Sequence, residues 1–128
     1  MPEETEPNWL YDRKTGTMRT PSGGAIRVCY SGHGAGLNNV AYEAVHNVGP
    51  LPAGTYRIER PEAPITHLGP LAMRLTPDPL NDMFGRSGFF IHGDNHAMDY
   101  TASDGCIVAP WFLRDSISRS NVTKLVVV

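Results

Sequence analysis

One histidine and one cysteine carry the reactive chemistry of this sequence. His92 ends the apolar run Phe89–Ile91 and is followed by Gly93. Cys106 ends the turn Ser103-Asp104-Gly105 and opens the apolar run Ile107–Ala109, fourteen positions after His92. A lone thiol with a pKa near ~8.5 is mostly protonated at neutral pH. A histidine within hydrogen-bond reach can take its proton and turn it into a nucleophile for acyl transfer. Gly105 permits backbone angles that a side chain forbids, so Cys106 can be held on a tight turn. Amides near Gly105 and Cys106 can then face a developing oxyanion. The bland alternative makes Cys106 a small core residue and His92 a loop end. The glycines beside both residues favour a site, provided that the two apolar runs pair as neighbouring strands and bring both side chains to one rim.

The elements that must position this pair are short. Thirteen glycines and eleven prolines in 128 residues, scattered and not repeated, imply many turns and no long helices. Trp9–Thr20 reads as a hairpin turning at Lys14–Gly16, and Gly24–Gly32 as a strand. A Gly/Asn loop follows over Gly32–Asn39, then a weak helix over Val40–Asn47. Thr55–Glu59 alternates, with Tyr56 and Ile58 on one side and Arg57 and Glu59 on the other. Leu71–Pro77 is a further strand, and the runs at Phe89–His92 and Cys106–Ala109 suit central strands buried on both faces. Pro110 opens a helix to about Ser118, with Leu113 and Ile117 stacked at i, i+4, and Thr123–Val128 closes as a strand. The expected fold is mainly β: a curled mixed sheet, open barrel or sandwich with one or two short helices. Residues 1–8 read as a frayed tail, and 9–128 as one catalytic domain.

"IHG", a loop and then "SDGCIV" resemble the catalytic domain of the L,D-transpeptidase (YkuD-like) family of bacterial cell-wall enzymes. "GPLPAGTYRI" (Gly49–Ile58) is similar to a second segment of that family. "RSGFFIHGDN" with "SDGCIV" is closer still to a small branch that includes effectors delivered by type VI secretion. The resemblance runs from about Ser31 to the C-terminus. It implies Cys106 as nucleophile, His92 as base, Ser103 as the residue that orients the turn or the histidine, and an oxyanion hole of amides at Gly105 and Cys106. One departure is Asp104, which stands where the wider family has histidine. Asp104 can hold the His92 tautomer or simply face solvent. The implied reaction attacks peptidoglycan tetrapeptide stems at the third residue and expels the terminal D-Ala. Water, a D-amino acid or a second stem amine then accepts the acyl group. No metal or cofactor is implied.

Other polar residues are candidates for substrate contact. Arg86, six residues before His92, can offer a fork to a substrate carboxylate or equally stand as a solvated loop cation. Gly93, Asp94 and Asn95 follow the histidine and can shape the mouth of the site, although Asp94 equally suits capping a turn. His33, His46, His67 and Arg74 read as loop or surface residues, and Cys29 as a buried structural thiol.

Competing readings differ in class. His92-x-Asp94-x-His96 offers three metal donors in five residues, without a recognisable fourth ligand. A papain-like peptidase usually places Cys before His, the reverse of the order here. A non-enzymatic β module binding cell wall or a partner protein needs no Gly-Cys turn facing a His-Gly.

A net charge of −2 with dispersed basic residues argues against nucleic acid and anionic membrane as partners, and no stretch is long enough to span a bilayer. The opening "MPEETEPNWL" lacks a signal-peptide pattern. The expectation is therefore an effector reaching a target cell's periplasm by a signal-independent route, with a cognate immunity protein in the producer. A phage-type wall enzyme and a trimmed housekeeping crosslinking enzyme are the alternatives.

Overall fold

The computed structural model describes residues 6–61 and 69–128. Most of the expected N-terminal tail and His67 lie outside the described residues. Among the described residues nine short strands join one sheet: β1 (Trp9–Asp12), β2 (Thr17–Arg19), β3 (Ala25–Ile26), β4 (Tyr30–Ser31), β5 (Gly54–Ile58), β6 (Met73–Pro77), β7 (Phe90–His92), β8 (Ile107–Val108) and β9 (Lys124–Val127). Their order is β3-β2-β1-β9-β5-β6-β7-β8-β4. The pairs β1/β9 and β7/β8 are parallel and the others antiparallel, so the sheet is mixed.

The chain itself forces the sheet to curl. The expected single strand over Gly24–Gly32 divides into β3 and β4, which form the two opposite edges of the sheet. Only Arg27–Cys29 lie between them. A fully extended step spans at most roughly 3.3–3.6 Å per residue, so the two edges stay within roughly 14 Å. The result is a half-barrel. Its interior holds one apolar cluster that includes Trp9, Tyr11, Met18, Tyr56, Met73, Ile91, Ile107 and Leu125.

The α-helix of the described residues, α1 (Trp111–Arg119), starts at the Pro110 N-cap and turns Leu113 and Ile117 onto that cluster. Proline suits this boundary because its fixed φ fits there and its missing N–H costs no hydrogen bond. The weak helix expected over Val40–Asn47 is reduced to one 3₁₀ turn, Val40–Tyr42, and another, Gly34–Gly36, lies in the Gly/Asn loop before it. Asn39 caps the Val40–Tyr42 turn by accepting from the Ala41 amide at 3.1 Å, and Asn47 turns the chain at φ 62°. These side-chain and left-handed turns compete successfully with a helix of weak propensity. Among the described residues no helix is long and apolar enough to cross a membrane.

β9 lies inside the sheet, where Leu125 is fully buried and stands in register with Trp9 on one side and Tyr56 on the other. Leu125→Ala is predicted to destabilise the protein by about 2–5 kcal/mol, read as a lower urea midpoint at unchanged slope. A midpoint within error of wild type would contradict this placement of the core.

Candidate active site

β7 and β8 carry the pair, but not as two ends of a shared rim. The strands are parallel, with Ile91 opposite Ile107 and His92 opposite Val108. This register extends backwards to set Cys106 opposite Phe90. A parallel pair needs a long crossover, and residues 93–106 supply it. Side chains alternate along each strand, so Cys106 and His92 share one face, offset by two residues on adjacent strands. At ~3.3 Å per residue and ~4.8 Å between strands, their Cα atoms lie roughly 8 Å apart. Both side chains line one cavity of about 290 Å³ with Asn47, Ser87, Gly88, Phe89, Phe90, Ala102 and Asp104. The expectation of juxtaposition holds through the sheet face and not through a common loop mouth.

His92 is buried at 5% exposure, and its Nδ1 lies 2.7 Å from the Gly93 carbonyl oxygen. A carbonyl only accepts, so Nδ1 carries the proton of the neutral ring and the lone pair resides on Nε2. The position offered to Asp104, at the orienting nitrogen of His92, is thus taken by Gly93. Asp104 is exposed and directs its carboxylate to His33 Nδ1 at 3.5 Å. His33, expected as a plain loop residue, also donates from Nδ1 to the Ser103 carbonyl at 2.7 Å.

Cys106 is half-buried. The Phe90 amide donates to its sulfur at 3.3 Å. Burial pushes the thiol up to about 11 from an ordinary 9.0, and the neighbouring Asp104 charge adds to the rise. The amides of Phe90 and of Cys106 itself, and the Arg86 cation, act in the opposite direction without overcoming it. The resting cysteine is therefore a neutral thiol. Cys29 is free, buried in the core and pushed up to about 12 by desolvation, as a structural thiol should be.

Ser103 organises the turn. Its fully buried hydroxyl donates to the Cys106 carbonyl at 2.5 Å and accepts from the amides of Gly32 at 2.9 Å and Gly105 at 3.1 Å. One donor and two acceptor positions are then all used. The Gly105 amide, expected as an oxyanion donor, is consumed in this way. The amides that lie against the sulfur are those of Phe90 and Cys106. Gly105 has φ +138°, and a Cβ there would sit 2.5 Å from Arg86 Nη2.

Several residues that build the site were not legible as such. Ser31 is fully buried and clamps the turn by donating to the Gly105 carbonyl at 2.9 Å while accepting from the Leu51 amide at 2.8 Å. Arg114, 7% exposed, donates to the carbonyls of Ala109 at 3.0 Å and Pro70 at 2.6 Å. It lies so close to Gly93 that a Cβ there would meet Nη2 at 2.8 Å. The signal available in the sequence was an arginine inside an otherwise apolar helical face.

Arg86 differs from its expected position as a fork at the mouth. It is 6% exposed, and its terminal nitrogens donate to four main-chain carbonyls, those of Glu43, Pro50, Gly49 and Asp104. Asp94 and Asn95 are exposed in the crossover. Asp94 accepts from Tyr30 Oη at 2.6 Å and caps the Asn95 amide at 2.9 Å, and Asn95 accepts from the Met98 amide at 3.0 Å. His46 is exposed and bonds the Phe84 carbonyl, while Arg74 is exposed over the Phe90 ring. Among the described residues no three His, Cys, Asp or Glu side chains converge as a metal site, so His92, Asp94 and His96 do not form a cluster.

No curated protein matches this sequence. The model of the Tlde1 domain family matches residues 26–125, a span that contains β4, the Gly49–Ile58 segment, both strands of the His/Cys pair and α1. A half-barrel of mixed strands with one main helix, the L,D-transpeptidase type of fold, agrees with that match. The chain belongs to the Tlde1 domain family, and this membership supports an L,D-transpeptidase-type enzymatic activity directed at peptidoglycan.

Proposed function

We propose that the protein is a cysteine-dependent L,D-transpeptidase and L,D-carboxypeptidase acting on peptidoglycan tetrapeptide stems. The observation that carries this reading is the placement of His92 and Cys106 in one cavity, with Nδ1 of the histidine donating to the Gly93 carbonyl. That hydrogen bond makes Nε2 the basic nitrogen. In the first step Nε2 takes the Cys106 proton while sulfur attacks the carbonyl carbon of the third stem residue. The tetrahedral intermediate collapses as its C–N bond breaks. The imidazolium returns the proton to the departing D-Ala amine, leaving a thioester on Cys106. Water, a D-amino acid amine or a second stem amine then attacks the thioester, with His92 again as base. The acyl group leaves and the thiol is restored.

A neutral resting thiol means that proton transfer accompanies attack and does not precede it. Because the Cys106 thiol is pushed up to about 11, its thiolate is scarce at pH 7 and grows with each rise in pH toward that value. In a Cys29→Ala background, iodoacetamide alkylation of Cys106 in the substrate-free protein is predicted to keep accelerating from pH 8 to about 11. A plateau already reached at pH 9 would count against a desolvated thiol.

The resemblance of "RSGFFIHGDN" and "SDGCIV" to effectors delivered by type VI secretion supports a further proposal. The enzyme works in the periplasm of a rival cell, and its producer carries a cognate immunity protein.

Two measurements test the proposal. Disaccharide tetrapeptide incubated with the protein should lose its terminal D-Ala or exchange it for an added D-amino acid. Cys106→Ala should do neither, and His92→Ala should lose at least roughly a hundredfold in rate. An unchanged muropeptide mass across all acceptors, with folded wild-type protein, would refute the activity. For the cellular role, expression with an added export signal in a Gram-negative host should arrest growth, whereas cytoplasmic expression or Cys106→Ala should not. Normal growth with active exported enzyme would remove the effector reading and favour a housekeeping or phage origin.

A further inference from the structure

A buried cation lies beneath the turn that presents Cys106. Among the described residues no carboxylate lies within ion-pair distance of Arg86. Glu43, the acid in its surroundings, gives its carboxylate to Arg13 Nη1 at 2.8 Å and to the Ala53 amide at 3.1 Å. It offers Arg86 only a main-chain carbonyl. Arg86 Nη1 donates to Glu43 O at 2.6 Å and Pro50 O at 2.7 Å, and Nη2 donates to Gly49 O at 2.9 Å and Asp104 O at 3.0 Å. The Phe89 ring lies 5.2 Å from the guanidinium carbon.

A guanidinium removed from water is costly unless its donors are satisfied. Here four carbonyls take the four Nη hydrogens, and no carboxylate among the described residues pairs with the charge. Four carbonyls call for four N–H groups in one fork, which a guanidinium has and a neutral amide with two N–H lacks, so the charge comes with the fork and its use depends on where it lies. Its position supplies one, because the fourth carbonyl belongs to Asp104, two residues before the nucleophile.

We propose that Arg86 is a positioning residue of the acyl-transfer site: it locks the Asp104–Cys106 turn onto the Gly49–Pro50 loop and keeps a positive charge beneath the nucleophile. The proposal rests on the reading of Cys106 as nucleophile. The titratable and charged groups facing Cys106 are Asp104, which disfavours an anionic sulfur, Arg86, which favours it, and His92 across the cavity. Tyr56 and Glu43 face Arg86 from the other side. Gly105 belongs to the same turn: its φ of +138° disfavours a side chain, and a Cβ there would meet Arg86 Nη2 at 2.5 Å and Phe89 Cε1 at 2.6 Å.

The test uses the full chain with Cys29→Ala, so that Cys106 is the only thiol. Alkylation by iodoacetamide at pH 8, D-Ala release from disaccharide tetrapeptide and thermal melting are measured together. Arg86→Gln should slow alkylation about tenfold, the effect of one unit of lost thiolate stabilisation. Arg86→Lys keeps the charge and should restore alkylation close to the wild-type rate. Its D-Ala release should stay depressed, because a single ammonium cannot reproduce the planar fork. Folded Arg86→Gln protein that alkylates as fast as wild type overturns the proposal. Should Arg86→Gln fail to fold, Arg86→Lys decides, since it keeps the charge and loses the planar fork. Wild-type alkylation and D-Ala release in that variant would equally overturn the proposal. A wild-type protein that releases no D-Ala refutes the transpeptidase reading by itself, whereas the alkylation comparison still reports on Arg86.

Discussion

The parallel pairing of β7 with β8 is the constraint on which the site depends. The register sets Ile91 opposite Ile107 and so places Cys106 and His92 on the same face. A slip of one residue would turn every side chain of β8 to the opposite face and separate the pair. The apolar residues between them enforce the register, since Ile91 and Ile107 are both fully buried in the core. The placement of His92 and Cys106 and the hydrophobic core are thus set by the same two strands.

Parallel pairing also explains the long crossover at residues 93–106. A chain that leaves the end of one strand must return to the start of its neighbour, and the return path passes over the site. The crossover is tied together by short polar contacts, among them Asp94, Asn95 and Thr101. Its end is held from below by buried groups. Ser31 and Ser103 satisfy the backbone of the turn, Arg86 joins it to the Gly49–Pro50 loop, and Arg114 lies against Gly93 next to the histidine. Buried polar groups of this kind are costly when unsatisfied and rigid when satisfied, so the two reactive residues sit on backbone with little freedom to move. The proline-rich segment that resembles the wider family has a physical role here. Its carbonyls at Gly49 and Pro50 receive the arginine, and its Pro52 carbonyl accepts from Tyr56 Oη at 2.7 Å.

The local patterns were legible where one residue type excludes its alternatives. Pro110 marked the start of α1, alternation in β5 placed Tyr56 and Ile58 inward, and the apolar runs around His92 and Cys106 were strands buried on both faces. The division of Gly24–Gly32 into two edge strands was not legible, because a β-rich run carries no mark of where the sheet will curl. The helix over Val40–Asn47 failed for a related reason: its weak propensity yielded to turns closed by Asn39 and Asn47. The burial of Arg86 is not legible because its sequence context suits a substrate fork or a solvated loop cation, and long charged side chains are rarely buried.

By itself, the sequence determined which residues could react and what chemistry they could perform. A cysteine after glycine and a histidine before glycine, each bounding an apolar run, are local facts of composition and backbone freedom. Only the tertiary structure decided how those residues meet. The direction of a strand pair, the acceptor at His92 Nδ1, the desolvation that keeps Cys106 a neutral thiol and the burial of Arg86 all arise between segments distant in the chain. Hydrogen-bond partners and local dielectric are properties of neighbours in space, which no spacing along the chain encodes.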